Sequence, residues 1–226
     1  MRLALLALSL ALACPAALAH DEPTRDGQDI SHVNRGITAE SGRTYGDLET
    51  VNGGITVEDG VTADTVETVN GGISVGNRAR VGSLETVNGG INAGEDVQVA
   101  RSAETVNGGI RFGFRSSVGG GVSTVNGGIT LKQTRVQGRV ETVGGDITVG
   151  NGSVVEGGIL VDKPRGMSWG KKRVPRIIIG PNAVVNGTLR FEREVELFVH
   201  PSAKIGAVSG ATVQRYTDNL PPRRDD

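Results

Sequence analysis

A carboxylate recurs along the middle of the chain at nearly constant spacing. The residues that share this position are Glu49, Glu67, Glu85, Glu104 and Glu141, and Ser123 interrupts the series. Carboxylates that converge on one cleft can cleave glycosidic bonds, and clustered carboxylate oxygens can bind divalent cations. A catalytic site would make one repeat unlike the others, whereas this acid recurs unchanged. We therefore predict that the chain is not an enzyme and that the glutamates are solvated, with cation bridging as the alternative.

Histidine is the second residue type that could carry chemistry. Beyond the first 19 residues the chain contains only His20, His32 and His200. His20 would become the N-terminal residue after removal of an export signal and could then bind copper, but no nearby ligand completes a site. The sequence therefore predicts no catalytic residue, no metal site and no cofactor.

The only tryptophan lies in a basic segment, residues 162–176. The candidate binding residues in this segment are Arg165, Trp169, Lys171, Lys172 and Arg173. Cations interleaved with an aromatic ring can bind a polyanion or an anionic membrane surface. The alternative is a solvated insertion whose Trp169 folds back on the rest of the protein. Roughly fifteen residues without a repeat make this loop long for a compact fold.

These residues must be positioned by a short repeat. The phrase Glu49-Thr-Val-Asn-Gly-Gly-Ile55 returns three times almost unchanged and then twice in weaker form. Its asparagines are Asn52, Asn70, Asn88, Asn107 and Asn126, so the period is 18 or 19 residues. A period this short, made of apolar, Asn and Gly positions, is typical of a solenoid. The predicted fold is an all-β, single-stranded parallel β-solenoid (β-helix) with about 18 residues per turn.

Alternation within one repeat predicts which side chains point inward. Short apolar strands with period two place Val66 and Val69 among the core residues.

The Gly-Gly pair that follows each asparagine is expected to form a corner with positive φ. The asparagines are expected to hydrogen-bond to one another in a structural ladder at a buried bend. A threonine column is interpreted as structural and not as an ice-binding face: Thr50, Thr68, Thr86, Thr105, Thr124 and Thr142. Two of the intervals between successive asparagines are 19 residues long, and the extra residue in each is expected to lie outside the ladders.

The chain divides into six segments on this pattern. They are a signal peptide at 1–19, a polar N-terminal segment at 20–32, solenoid repeats at 33–161, the basic loop at 162–176, closing turns at 177–210 and a disordered tail at 211–226. In the signal, Arg2 precedes an apolar run, and Ala17-Leu-Ala19 offers a cleavage site. We favour cleavage after Ala19 over lipidation at Cys14, which predicts a periplasmic or secreted protein.

Charge excludes one class of partner. Residues 20–159 carry 11 Lys and Arg against 18 Asp and Glu, and residues 160–226 carry 12 against 7. Neither part is basic enough to indicate nucleic acid as the partner.

Two groups of proteins share phrases with this chain. The Thr-Val-Asn-Gly-Gly-Ile repeat resembles the adhesin-like β-strand-repeat proteins of bacterial envelopes. Ile179-Gly-Pro-Asn-Ala-Val-Val-Asn-Gly-Thr-Leu189 and Ala203-Lys-Ile-Gly206 resemble bactofilins, which are polymer-forming β-helix proteins. Together the resemblances cover about residues 33–208, and they imply the fold more than the role.

These observations lead to a functional expectation. We expect an exported structural or adhesive scaffold that self-associates, because a stack of identical turns ends in strand edges that can pair. The alternative is a module that binds envelope polysaccharide or an anionic membrane surface through the Trp169 loop.

Overall fold

The protein is built from parallel strands that stack on their own copies. A computed structural model describes residues 27–164 and 173–217, and these residues form 26 strands and no helix. All pairings between the strands are parallel, and paired residues are mostly 18 or 19 positions apart. This arrangement confirms the predicted all-β parallel solenoid. Each turn contributes to three ladders, which we call the first, second and third faces in chain order.

The third face is a ten-stranded sheet that runs the length of the solenoid. Its strands are β2 (Ile37–Ala39), β4 (Ile55–Val57), β6 (Ile73–Val75), β8 (Ile91–Ala93), β11 (Ile110–Phe112), β14 (Ile129–Leu131), β17 (Ile147–Val149), β20 (Arg176–Ile179), β23 (Glu196–Val199) and β26 (Val213–Arg215). With about 4.8 Å between strands, this sheet is about 43 Å long.

The first and second faces share one sheet of 16 strands. At its start, single long strands cover both faces: β1 (Gln28–His32), β3 (Tyr45–Asn52), β5 (Thr62–Asn70) and β7 (Arg80–Thr86). Later turns divide this strand. The first face then contains β9 (Gln98–Val99), β12 (Ser117–Val118), β15 (Arg135–Val136), β18 (Val154–Val155), β21 (Val184–Val185) and β24 (Lys204–Ile205). The second face contains β10 (Ala103–Thr105), β13 (Val122–Thr124), β16 (Val140–Thr142), β19 (Ile159–Val161), β22 (Leu189–Phe191) and β25 (Val208–Ser209).

The division of the long strand locates the extra residue. Val81 and Leu84 of β7 pair with Val99 and Ala103, so the corner between the first and second faces is one residue longer in the later turn. The extra residue lies at a corner and leaves the ladders in register.

The core lies between the three faces and consists of inward columns of β-branched and leucine side chains. One such column starts at Ile37 and continues through Ile55 and Ile73, all of which are buried. One column differs from the prediction. Thr68 is 0% exposed, whereas Val69 is only half-buried. The prediction that Val69 faces the core is wrong, because alternation from the outward Glu67 turns the threonine inward and the valine outward.

The glycine pairs also differ from the prediction. None of the glycines that follow the ladder asparagines has a positive φ; most positive φ values lie at the corner between the third and first faces, as at Gly60, Arg78 and Asp96 in successive turns. The corner after the asparagines is tightly stacked instead. Gly108 is an example, because a Cβ atom there would overlap the carbonyl of Gly89 in the previous turn. Glycine is therefore required there by the close approach of stacked backbones, and not by a left-handed conformation.

Strands are found at both ends beyond the predicted repeats. β1 lies in the polar N-terminal segment and pairs with β3. β26 lies in the segment predicted to be a disordered tail and pairs with β23. Tyr216, which follows β26, is buried, and its hydroxyl donates a hydrogen bond to the carbonyl of Ile179 at 3.3 Å. The prediction of disorder from residue 211 is therefore wrong for residues 213–216.

Candidate functional site: the outer columns and the interrupted corner

The asparagines form a continuous amide ladder at the corner between the second and third faces, which we call the Asn corner. Each side-chain amide donates to the carbonyl oxygen of the asparagine one turn earlier, at 2.8 or 2.9 Å. The ladder consists of Asn34, Asn52, Asn70, Asn88, Asn107 and Asn126. These side chains are exposed, so the prediction that the ladder lies at a buried bend is wrong. The ladder therefore aligns successive turns at the surface.

A second set of bonds holds the same corner from inside. Thr68, Thr86 and Thr105 are buried, and each hydroxyl donates at 2.8 Å to a glycine carbonyl in the preceding turn. These bonds satisfy carbonyls that the strand ladders leave free. The threonine column is thus an internal feature of the corner and presents no flat threonine surface to solvent.

The glutamates form an outward column on the second face. Glu49, Glu67 and Glu85 pair directly in the ladder and are partly buried. Partial burial raises the pKa of the Glu67 carboxyl, and the charges of Glu85 and Glu49 raise it further. Burial also raises the pKa of Glu85, as does Glu104, whereas Arg101 lowers it. Stacked like charges thus favour the protonated form.

The Asn corner is interrupted after Asn126. The next turn has Gly144 at the equivalent position and Asp146 two residues later. The guanidinium of Arg173 pairs with the Asp146 carboxylate, and the backbone N–H of Arg176 donates to it at 2.9 Å. The insertion between β19 and β20 therefore returns to the solenoid at a carboxylate that replaces the amide ladder.

Arg193 connects the interrupted corner to earlier turns. Its guanidinium donates to the carbonyl of Val143 at 2.8 Å and to that of Arg173 at 2.9 Å. Val143 lies 50 residues earlier in the chain. One side chain thus joins two turns and the end of the insertion.

Most of the predicted binding residues lie outside the described part of the chain. These are Arg165, Trp169, Lys171 and Lys172. Arg173 is described, and its guanidinium is engaged by Asp146. His200 is half-buried and packs edge to face on Tyr216, with 5.5 Å between ring centroids.

A cleft that was not predicted from the sequence lies on the outer surface of the first face. The cleft has a volume of about 720 Å³ and crosses six successive turns, from Thr44 to Gln137. Its floor follows a column of small residues, including Gly82, Ala100 and Gly119. Long polar side chains project beside this floor. The signal in the sequence is the recurrence of Gly or Ala directly after the inward valine of the first face.

The described residues, 27–164 and 173–217, contain neither a candidate metal centre nor a candidate membrane-spanning helix. No group of three or more His, Cys, Asp or Glu residues there could hold a metal ion. In the same ranges, no helix is long and apolar enough to cross a lipid bilayer.

Comparison with known proteins identifies no relative of this chain. No family model matches the chain, and no curated protein and no solved structure matches it significantly.

Proposed function

We propose that this protein is an exported structural scaffold whose copies associate end to end. One observation supports this proposal above all others: the same columns of core, threonine and asparagine residues recur in register from turn to turn. Such a stack is stiff because every turn is bonded to both neighbours. In this proposal the protein catalyses no reaction, since its recurrent carboxylates are equivalent to one another.

The arrangement of the ends supports association between copies. The second-face column that contains Leu48 starts at Ile30 and ends at Val208. The third-face column starts at Ile37 and ends at Val213. A second copy placed head to tail would continue both columns with parallel strands. Repeated addition of this kind produces an open filament.

Sedimentation velocity of residues 20–226 at rising concentration tests association. We expect oligomers that grow with concentration. Ile37 donates its N–H to Gly54 inside the solenoid, so alternation directs the N–H of Thr38 outward. Thr38→Pro therefore removes an edge donor without removing an internal bond. We expect Thr38→Pro to weaken association and Thr38→Ala to leave it unchanged. A monomer at all concentrations would contradict the proposal.

Export is tested separately. We expect cell fractionation to place the protein outside the cytoplasm, with a mature N-terminus at His20. A cytoplasmic full-length chain would contradict export, and a lipidated Cys14 would replace free export with membrane anchoring.

A further inference from the structure

The cleft on the first face is elongated in a direction that excludes some ligands. It crosses β7, β9, β12 and β15, which pair in succession through Arg80, Gln98, Ser117 and Arg135. From Thr44 to Arg135 it covers five strand spacings, or about 24 Å. The backbone groups of these strands are already bonded within the ladder, so a peptide cannot add as a further strand. A ligand in the cleft must be recognised by side chains.

The side chains beside the floor are mainly hydrogen-bond donors. The charged residues that line the cleft are Arg80, Arg101, Arg135 and Asp64, so three guanidinium groups face one carboxylate. This balance contrasts with the neighbouring second face, where glutamates form the outward column. Of these two faces, the first face is therefore the one that favours an anionic ligand.

Arg101 forms a bridge at one side of the floor. Its guanidinium donates to Asp64 at 2.7 Å and to the hydroxyl of Ser83 at 3.1 Å. A Cβ atom on Gly82 would lie 2.7 Å from the same guanidinium. The missing side chain at Gly82 thus leaves room for the bridge, and about half of the Arg101 side chain remains exposed.

Arg80 and Arg135 lie three strands apart on the other side of the floor, about 14 Å from one another. Arg135 pairs with Glu156 at 2.7 Å, yet its side chain is 58% exposed. Arg80 is exposed and forms no salt bridge with the described residues. Gln98 lies between them and adds an exposed amide. The row therefore presents planar donors along the cleft.

We propose that the first-face cleft binds an extended acidic polysaccharide across several turns of the solenoid. Carboxylate or sulfate groups on the chain would accept charge-assisted hydrogen bonds from Arg80 and Arg135, and sugar hydroxyls would bond to Gln98. Nucleic acid fits less well because single strands require aromatic stacking platforms. Tyr45, the aromatic residue in the cleft lining, is 8% exposed, and its hydroxyl accepts a bond from the N–H of Glu40.

Binding is tested with residues 20–226 on polygalacturonate, which carries carboxylates, and on dextran sulfate, with neutral dextran as the control. We expect calorimetry at low salt to detect binding to an acidic polymer and not to dextran, and we expect added salt to weaken it. Arg80→Ala should reduce affinity about tenfold. Ala100→Glu, which places a carboxylate on the exposed floor, should reduce it at least as much.

Matched variants separate this cleft from other cationic surfaces. Arg111→Ala alters an exposed arginine on the third face and should leave affinity unchanged. The double variant Lys171→Ala and Lys172→Ala alters the basic loop and should have little effect. The proposal is overturned by absent binding, by equal binding to dextran, or by affinity that depends on the lysines and not on Arg80. Binding of duplex DNA with the same Arg80 dependence would also overturn it.

Discussion

The Asn corner is built in two ways within one molecule. From Asn52 to Asn126 every turn uses the same asparagine amide, buried threonine and glycine pair. Beyond Asn126 the corner depends on single interactions, in which Asp146 binds Arg173 and Arg193 reaches back to Val143. Repetition thus lets identical residues align successive turns, whereas the corner at the insertion is held by interactions that differ from the amide ladder of the earlier turns.

The largest effect is expected where stacked backbones leave no room for a side chain. Gly108→Ala would force a Cβ atom into the carbonyl of Gly89, so we expect a loss of about 4 kcal/mol or failure to fold. The adjacent Gly109→Ala is a matched control, because its Cβ atom would lie 3.1 Å from the Gly128 oxygen. We expect it to cost about 1 kcal/mol. Equal denaturant midpoints for the two variants would disprove the packing argument.

The interrupted corner should be most sensitive at Arg193. Arg193→Ala removes two hydrogen bonds to carbonyls, and we expect a loss of about 2 kcal/mol in the free energy of unfolding. Trypsin should also cleave the 162–175 segment faster. Arg190→Ala is the control, since Arg190 forms an exposed pair with Glu192. If both variants melt at the same temperature, Arg193 does not fasten this corner.

The amide ladder should show a smaller effect that depends on position. Asn88 both donates to Asn70 and accepts from Asn107, so Asn88→Ala breaks two bonds. Asn34 begins the ladder and only accepts from Asn52. Because the ladder is exposed, we expect Asn88→Ala to cost about 1 kcal/mol and Asn34→Ala about half as much. Thermal melts that do not distinguish the variants would show that the ladder contributes little to stability.

The smallest effect concerns the glutamate column. The pKa of Glu85 is raised in the folded protein, so the folded state binds more protons than the unfolded state near and above the usual glutamate pKa. Its contribution to stability is therefore greatest at low pH and is lost as the pH rises through the folded value. Glu85→Gln should therefore raise the melting temperature at neutral pH, with a gain of less than about 1 kcal/mol in the free energy of unfolding. The same substitution should make the stability depend less on pH. A lower melting temperature at neutral pH would contradict this interpretation.

The sequence predicted the period and the parallel fold, but it missed the orientation and exposure of some repeating columns and the interactions that occur once. The period and the parallel fold were predictable because equivalent residues recur every 18 or 19 positions. The inward direction of Thr68 could have been derived from strict alternation with Glu67. The bond from Arg193 to Val143 could not be derived in this way, because it joins residues 50 positions apart and has no counterpart in the other described turns. The first-face cleft depends on how Arg101 lies over Gly82, which spacing alone does not give.

Head-to-tail continuation of the columns can be measured directly with engineered cysteines. Ser31 and Ser209 occupy the first and last positions of the outward column that contains the glutamates. If a second copy continues this column, the two Cα atoms lie about 4.8 Å apart, which suits a disulfide. Residues 20–226 contain no native cysteine. We expect Ser31→Cys and Ser209→Cys chains to form a mixed disulfide dimer on oxidation, and neither chain alone to do so. Two results would contradict the scaffold account: a disulfide dimer formed by one variant on its own, or the absence of a disulfide dimer when the two variants are mixed.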